Sequence, residues 1–425
     1  MLDRTIAPKA QPIDNINFIL PDHWKLENGI PVYSYHLGSE DVIKLDVVFP
    51  AGTKYQTKAL VASTVKNVLN EGTDKYSSKE IADAIDFYGA FLETELNNDY
   101  ATVSLYCLNK HIDNVLPIVL NIITSASFPQ NEIDKYLNRS KQNYLLGQEK
   151  VATLSSQAYV KTIFNGSEYG KVATEEDYDQ VTREDLLAFY QKHYTLSEAT
   201  VFIAGNVSPV LKQFIEGQIG QLPIDKNDEV TFNFTLPDYK QVNVFKEKKG
   251  AIQSAIRFGK PTIKIDHEDF NHFQILNTVL GGYFGSRLMM NIREDKGYTY
   301  GIGSGISSKK EIGNFIISTE VGSDVTKDAI KEIQSEINKI KTELIPEKEL
   351  NIVKNYILGS LLKNTDGPFD LLERYKTIHF NGLADNHYDL FIQDIHSATP
   401  EKLREIANKY LTDLSIIVAG SVDFR

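Results

Sequence analysis

The feature that most constrains the fold is an internal repeat with a spacing of 217 residues. Residues 182–205 and 399–420 share a threonine able to cap a helix, a first turn with acidic residues, an apolar-periodic helix and a β-branched strand ending in Ala-Gly. Thr182 and Thr399 are 217 positions apart, whereas the closing glycines, Gly205 and Gly420, are 215 apart. A repeat of this length predicts two structurally equivalent units.

A second pair of segments supports the same register. The sequence FPQNEI at 128–133 matches IPEKEL at 345–350 with the same offset of 217. Two independent matches predict two homologous halves of roughly 200 residues each, which is an ordinary domain size. We therefore expect a first domain at residues 1–218, a polar linker at 219–238 and a second domain at 239–425.

Strand and helix patterns alternate in the same way in both halves. NGIPVYSYHL and EDVIKLDVVFPAG look like a turn-linked strand pair, FLETELNNDYATVSLYCL looks like a hairpin with Asn-Asp at its turn, and QVNVFKEKKGAIQSAIRFGKP repeats the first arrangement. Helical periodicity follows at 57–70, 111–126, 131–150, 269–280, 325–342 and 347–363. The predicted fold class is α+β, with an antiparallel sheet packed against helices in each half.

Composition narrows the classes of partner. The 425 residues carry a formal net charge of −12, which argues against nucleic acid or an anionic membrane surface as the main partner. The single cysteine, Cys107, excludes intrachain disulfides and is expected to be a small buried apolar residue. The apolar run at 115–128 is too short and too polar to span a bilayer, and no signal peptide is visible, so we expect a cytoplasmic protein.

Residues 280–300, LGGYFGSRLMMNIREDKGYTY, combine glycines with chemically useful donors. Glycine allows close approach of two backbones, the Arg293 guanidinium is a planar fork of donors, and Tyr300 has a hydroxyl. On composition alone the stretch is typical of a glycine-rich loop, a short helix and a solvated charged turn. The final Tyr-Thr-Tyr is predicted to begin a strand.

This plan resembles the M16 family of metallopeptidases, the pitrilysin or insulinase type. The resemblance rests on NGIPVY, on AGTKYQTKALVASTVKNVLNEGT at 51–73, on the paired helix–strand–Ala-Gly endings and on LGGYFGSRLMMNIREDKGYTYG, and it covers nearly the whole chain. It implies two α/β sandwich domains that form half of a clam-shell peptidase chamber. Active members carry H-x-x-E-H on the first helix, where two histidines bind zinc and the glutamate activates water.

That zinc motif is absent from this chain. The positions of the two histidines hold Ser63 and Asn67, and the position of the glutamate holds Lys66. The third zinc ligand of the family, a glutamate on a later helix, would fall near Asn143, where LNRSKQNYLLG has no acidic residue. A lysine would repel a dication, and no general base remains, so the chain alone is expected to hold no metal and no catalytic residue of its own.

The remaining histidines do not suggest another metal site. None of the nine is four positions from another, and His267 and His272 are five apart, so their side chains diverge around a helix. We expect these two to lie at a helix start instead.

The resemblance implies a different role for the second half. In the family this half supplies an arginine and a tyrosine to the peptide in the zinc site, and these positions match Arg293 and Tyr300. They would hold the carbonyl next to the scissile bond and stabilise the developing oxyanion, while Gly281 and Gly282 would permit the close approach of the substrate. The alternative is that Arg293 pairs with Glu294 or Asp295 and that Tyr300 packs in the sheet.

Two-chain members of the family divide these tasks, and the sequence is typical of the chain without zinc. The resemblance therefore predicts a non-catalytic subunit whose partner is a zinc-bearing M16-like peptidase chain and whose substrates are unfolded peptides. Zinc is expected in the partner and no cofactor in this chain. A purely structural subunit, like the core proteins of respiratory complexes, and a homodimeric peptide-binding protein are the alternatives.

Overall fold

Two β-sheets, each covered by helices, make up the computed structural model, which describes residues 13, 16–224 and 232–424. The first sheet has the order β1-β2-β6-β3-β5-β4, and the second has the order β7-β11-β8-β10-β9. Their strands are β1 (Asp22–Lys25), β2 (Pro31–His36), β3 (Val42–Phe49), β4 (Phe91–Leu96), β5 (Ala101–Leu108), β6 (Thr200–Gly205), β7 (Asn243–Glu247), β8 (Gln253–Thr262), β9 (Ile302–Ser308), β10 (Gly313–Gly322) and β11 (Ser415–Gly420).

The helices fall into two matching sets. The first half contains α1 (Val61–Val68), α2 (Ser78–Phe87), α3 (Ile112–Ser125), α4 (Gln130–Gln148), α5 (Val151–Ile163), α6 (Asp177–Gln180), α7 (Arg183–His193) and α8 (Pro209–Gln218). The second half contains α9 (Phe270–Asn277), α10 (Thr326–Thr342), α11 (Glu347–Lys363), α12 (Pro368–Asn381), α13 (His387–Ser397) and α14 (Pro400–Tyr410). Two π-helical segments, Thr278–Gly282 and Met289–Asp295, follow α9.

The predicted fold class is confirmed, and the repeat corresponds to equivalent elements. The side chains of Thr182 and Thr399 accept hydrogen bonds from the backbone N–H groups of Asp185 and Lys402, so α7 and α14 are capped in the same way. Apart from β1, the two sheets have the same strand order. The domain boundaries stay a prediction, since part of the proposed linker, residues 225–231, lies outside the described residues.

One pairing predicted from the sequence is wrong. β2 and β3 are not neighbours, because β6 lies between them, and β11 separates β7 from β8 in the same way. Each inserted strand is buried along its whole length, as expected for a β-branched strand at the centre of a sheet. The β4–β5 hairpin is confirmed, with residues 97–100 at its turn.

The two halves exchange helices. α5, from the first half, packs on β8 and β11 of the second sheet, and α12, from the second half, packs on β2 and β6 of the first. Consequently Phe202 of β6 contacts α12, whereas its neighbour Ile203 points into the core of the first half. In β11, Ile417 likewise faces α5 while Val418 faces the core of the second half. Each half therefore needs the other to bury both faces of its sheet.

A buried histidine makes the stability of the first half dependent on pH. His193, at the end of α7, lies between the rings of Tyr55 and Phe189 with only 4% of its surface exposed. Burial, assisted by the nearby charge of Lys192, lowers the pKa of His193 to about 4. Its Nδ1 atom has no hydrogen-bond partner among the described residues.

We expect the free energy of unfolding to fall as pH is lowered from about 6.5 towards 4. In that window the unfolded chain, with an ordinary histidine pKa near 6.5, binds a proton that the folded chain does not bind. Between pH 7 and pH 5 the expected loss from this residue is about 2 kcal/mol. Chemical denaturation at pH 7 and pH 5 measures it, and His193→Phe should flatten the pH dependence. An identical pH dependence in the variant would contradict this assignment.

Two further sequence predictions concern the burial of Cys107 and membrane-spanning helices. Cys107 is 3% exposed, and burial raises the pKa of its thiol to about 12, so its predicted burial is confirmed and its thiol is unreactive in the folded state. Within the described part of the chain, no helix combines the length and apolar character needed to cross a membrane.

Candidate functional site

The three altered positions of the zinc motif share one face of α1. Ser63, Lys66 and Asn67 are half-buried, whereas the opposite face of the helix is packed into the core of the first half. The spacing of three and four residues places them side by side. They line a cavity of about 530 Å³ whose other wall is formed by residues 94–97, 100 and 102 of the β4–β5 hairpin.

These side chains form hydrogen bonds to the helix backbone, to a residue of α4 and, in one case, to each other. The Ser63 hydroxyl donates to the Leu60 carbonyl oxygen at 2.9 Å, and Asn67 Nδ2 donates to the Ser63 carbonyl oxygen at 2.8 Å and to the Tyr136 hydroxyl at 3.0 Å. Lys66 Nζ lies 3.4 Å from Asn67 Oδ1. A hydroxyl, an ammonium and an amide that already donates two hydrogen bonds do not form a zinc site, so the residues present do not fit the metal.

The fourth predicted position lies apart from these three. Asn143 is exposed on α4 and is not among the residues that line the cavity. The α4 residue that reaches Asn67 is Tyr136, two helical turns earlier. Sequence reasoning missed Tyr136, although its position one residue before the buried Leu137 placed it near the face of α4 that packs on α1. Nowhere in the described residues do three or more His, Cys, Asp or Glu side chains form a group that could hold a metal ion.

Restoring the motif on α1 alone should not restore a metal site. We expect the triple variant Ser63→His, Lys66→Glu, Asn67→His to retain far less than one zinc per chain after dialysis and to hydrolyse no peptide, because zinc needs three protein ligands and α4 supplies none. Metal analysis and a peptide assay measure this. Adding Asn143→Glu or Tyr136→Glu to the triple variant tests which α4 position completes the site. Stoichiometric zinc in the triple variant itself would contradict the expectation.

Arg293 and Tyr300 lie in the segment that leads into β9, the last strand of the second sheet. Arg293, in the second π-helical segment, lies over the Phe284 ring with 4.6 Å between its guanidinium carbon and the ring centroid. Its Nη1 atom is 3.6 Å from the carboxylate of Glu294. Tyr300 is 97% exposed. The Tyr300 side chain is therefore almost fully accessible, and that of Arg293 is partly accessible.

The sequence predicted that Tyr-Thr-Tyr begins a strand, and this prediction is wrong. β9 starts at Ile302, because the Thr299 hydroxyl lies 2.7 Å from the Glu320 carbonyl oxygen and 2.9 Å from that of Gly301 and holds a tight loop. This loop turns the neighbouring Tyr300 into solvent.

The alternative interpretation was that Arg293 pairs with a neighbouring carboxylate and that Tyr300 packs in the sheet, and only its first part agrees with the structure. Arg293 does pair with Glu294, but an ion pair at the protein surface contributes about 1 kcal/mol or less, so this contact does not prevent the guanidinium from binding another group. Tyr300 does not pack in the sheet and makes no hydrogen bond to any described residue through its hydroxyl. Such a high exposure is unusual for a large aromatic side chain.

The glycines of the same stretch close the edge of the second sheet. A Cβ atom on the buried Gly281 would lie 2.5 Å from Ser304 Oγ and 2.6 Å from Ser304 N, so only glycine allows this approach to β9. The Ile302 N–H, further along β9, points at Met289 Sδ at 3.5 Å. Gly282 is exposed beside Asn277. Contact of Gly281 and Gly282 with a substrate stays a prediction.

The end of the first sheet differs from that of the second. β4 is its last strand, and within the described residues no further strand pairs with its outer edge. Phe91, Glu93 and Glu95 alternate as its exposed side chains. An accessible strand edge of this kind can accept an extended chain by backbone hydrogen bonding.

Comparison with known proteins matches two profiles of one family. The profile described as insulinase (peptidase family M16) matches residues 32–170, and the profile described as peptidase M16 inactive domain matches residues 180–357. The chain belongs to the M16 peptidase family. The resemblance inferred from the sequence is thus confirmed.

Relatives within the M16 family carry different names. An uncharacterized zinc protease of Rickettsia felis is 25% identical over 342 residues, which cover 80% of this chain and 82% of the relative. The non-peptidase homolog YmxG of Helicobacter pylori is 22% identical over 374 residues, which cover 85% of this chain and 84% of that protein.

Solved structures confirm the M16 fold over the full length. The crystal structure of a peptidase M16 inactive domain from Pseudomonas fluorescens superposes with a TM-score of 0.86 at 22% identity and covers 95% of this chain and 98% of its own. A protease from Helicobacter pylori gives a TM-score of 0.87 at 16% identity, with 95% of this chain and all of the other chain covered. At these identities the likeness concerns the fold alone.

Proposed function

We propose that this M16 chain is the non-catalytic subunit of a two-chain zinc peptidase. It binds unfolded peptides and supplies Arg293 and Tyr300 to the active site of a partner M16 chain that carries the H-x-x-E-H motif and the zinc. The proposal rests on the contrast between the zinc-motif face of α1 and Tyr300. The side chains on the zinc-motif face of α1 are engaged in hydrogen bonds to the helix backbone, to Tyr136 and, for Lys66 and Asn67, to each other, whereas Tyr300 is 97% exposed and its hydroxyl makes no hydrogen bond to a described residue.

The chemistry of the two exposed donors supports this role. A guanidinium fork and a phenol are suited to a peptide carbonyl whose oxygen gains negative charge during hydrolysis. The π-helical segment carries Arg293, whose one ion pair is with the neighbouring Glu294, and the Thr299 loop leaves the Tyr300 hydroxyl without a hydrogen bond to a described residue. In the assembled enzyme they would contact the substrate, and the partner would supply metal and water activation.

The free edge of β4 supports binding of extended peptides. An incoming chain adds to such an edge through its backbone, so recognition depends little on sequence. The cavity beside α1 adjoins this strand through Thr94, Glu95 and Leu96 and leaves room for side chains of the added segment. On the second sheet, by contrast, the segments around Gly281 and Met289 already occupy the edge of β9.

The names of relatives support loss of activity without deciding it. The Helicobacter pylori homologue is called a non-peptidase, whereas the Rickettsia felis relative is called a zinc protease. A purely structural subunit and a homodimeric peptide-binding protein remain the competing functions, because both are compatible with an erased zinc motif. Neither gives a reason for a tyrosine that is 97% exposed at position 300.

The proposal is tested by mixing the purified chain with an M16 chain of the same organism that has an intact H-x-x-E-H motif. We expect a stable heterodimer on size-exclusion chromatography and hydrolysis of an unfolded reporter peptide that neither chain shows alone. A partner with Gln in place of its motif Glu is the matched control and should assemble without activity. Assembly with full activity in the partner alone would favour the structural subunit, and absence of any complex would overturn the proposal.

A further inference from the structure

A second cavity lies at the junction of the two halves and joins the cavity beside α1. Its volume is about 340 Å³, at the lower end of the range for ligand sites. Its walls are the β4–β5 turn, the β9–β10 turn and α12. The two cavities share Glu95, Asn97, Tyr100 and Thr102, so they form one groove that runs from α1 to the second half.

Three lysines in this groove have no acidic partner. Among the described residues no carboxylate lies within 4.0 Å of the ammonium groups of Lys66, Lys309 or Lys310. The other cation of the groove, Lys376, is already paired, at 2.5 Å from Asp46 and 2.8 Å from Glu373. The groove therefore carries uncompensated positive charge in a protein whose formal net charge is −12.

The two lysines at the inner end are held in place. Lys309 donates to Asn98 Oδ1 and lies over the rings of Phe164 and Tyr169, at 5.6 and 5.5 Å from their centroids. Burial lowers the pKa of Lys309, although the nearby Asp99 opposes this effect. Lys310 is exposed and lies 5.7 Å from the centroid of Tyr100. A lysine side chain that is already ordered by aromatic rings loses less conformational entropy when a ligand binds to its ammonium group.

The acidic groups of the groove do not cancel these charges. Asp99 accepts from the Tyr169 hydroxyl and pairs with Lys54 at 3.1 Å, so its charge is compensated from the far side. Glu95, at the meeting point of the two cavities, is exposed and has no ion pair with any described residue. The groove thus contains three ammonium groups without an ion pair and one carboxylate without an ion pair among the described residues.

We propose that this groove binds peptides through a carboxylate, which Lys66, Lys309 and Lys310 hold. The substrate class is an extended peptide with a free α-carboxylate or with acidic side chains. The change from the acidic residue of the zinc motif to Lys66 then converts a metal-directed face into one that attracts anions. This inference rests on the proposed peptide-binding function and specifies its ligand.

Calorimetric titration with four unstructured peptides of one length tests the proposal. One is neutral and amidated at its C-terminus, the second is neutral with a free C-terminus, the third is amidated with acidic side chains, and the fourth is amidated with lysines in those positions. We expect each carboxylate-bearing peptide to bind about tenfold or more tightly than the neutral amidated one, with the advantage falling as salt is added. The second and third peptides distinguish the two sources of the carboxylate.

Variants assign the effect to the groove. Lys66→Gln combined with Lys310→Gln should remove most of the preference for carboxylates, whereas Lys327→Gln, at an exposed position of α10, is the matched control and should leave it unchanged. Thermal unfolding verifies that the variants fold.

The outcomes separate this inference from the function on which it rests. If all four peptides bind with equal affinity, the carboxylate preference is wrong while peptide binding stands. If the lysine peptide binds best, the acidic β4 edge and not the lysine groove selects the ligand, and the inference is overturned. If no peptide binds at all, the proposed peptide-binding function itself fails. A preference that survives in the double variant would show that these lysines do not form the site.

Discussion

Replacing Tyr300 by Phe in the assembled two-chain peptidase is expected to lower turnover by about 100-fold or more, because a donor to the developing oxyanion is removed. The ring is retained and the residue is 97% exposed, so folding and assembly should not change. Arg293→Lys should have an effect in the same direction, since an ammonium keeps the charge but loses the planar fork. Steady-state hydrolysis and size-exclusion chromatography measure the two properties separately.

The matched control for this prediction is Tyr356→Phe. Tyr356 is half-exposed on α11 and contacts the Tyr283 ring at 4.9 Å, so it loses a hydroxyl on the same half at a position with no proposed role. It should leave turnover unchanged. A Tyr300→Phe enzyme as active as the control would support the purely structural subunit, in which this tyrosine has no contact with substrate.

The second large effect concerns the charged contact that joins the two halves. Asp46, on β3, is completely buried and lies 2.5 Å from Lys376 of α12 and 3.4 Å from Lys44. Glu373 completes the group at 2.5 Å from Lys44. Burial lowers the pKa of Lys44, but Asp46 and Glu373 together raise it above the ordinary value, so the lysine stays charged.

We expect Asp46→Asn to reduce the free energy of unfolding by about 3 kcal/mol or more, because two largely buried ammonium groups would lose the buried one of their two shared counter-charges and keep only the half-exposed Glu373. Since Lys376 joins α12 of the second half to Asp46 of the first sheet, the loss should also loosen contact between the halves. Denaturant titration measures the stability, and limited proteolysis near α12 measures the loosening.

Asp328→Asn provides the comparison for Asp46→Asn. Asp328 and Lys331 form an exposed ion pair on α10 at 3.4 Å, and such a pair contributes about 1 kcal/mol or less. Equal effects of the two substitutions would mean that the buried group does not lock α12 to the first sheet.

The sequence predicts the fold well where a pattern is local or repeated. Caps at Thr182 and Thr399, the β4–β5 hairpin and the helix bounds follow from side chains within a few residues of each other. The insertion of β6 between β2 and β3, and the exchange of α5 and α12, depend on burial across more than a hundred residues. Local periodicity carries no information on which sheet face a distant helix will cover.

The same distinction holds at the site. The spacing of Ser63, Lys66 and Asn67 places them on one helical face, and the structure brings them together in one cavity. Their contact with Tyr136, and the joining of this cavity to Lys309 and Lys310, come from tertiary packing between elements distant in sequence. The exposure of Tyr300 could not be predicted from the sequence either, because it results from the hydrogen bonds of its neighbour Thr299 to residues distant in sequence.

The central claim is that this M16 chain holds no zinc of its own and completes the active site of another chain. Elemental analysis of the chain purified alone, after incubation with zinc and exhaustive dialysis, tests it most directly. The account predicts far less than one zinc per chain, because the side chains of Ser63, Lys66 and Asn67 are engaged in other hydrogen bonds and provide no ligand set for the metal. One tightly held zinc per chain that is lost on substitution of Ser63 and Asn67 would contradict it.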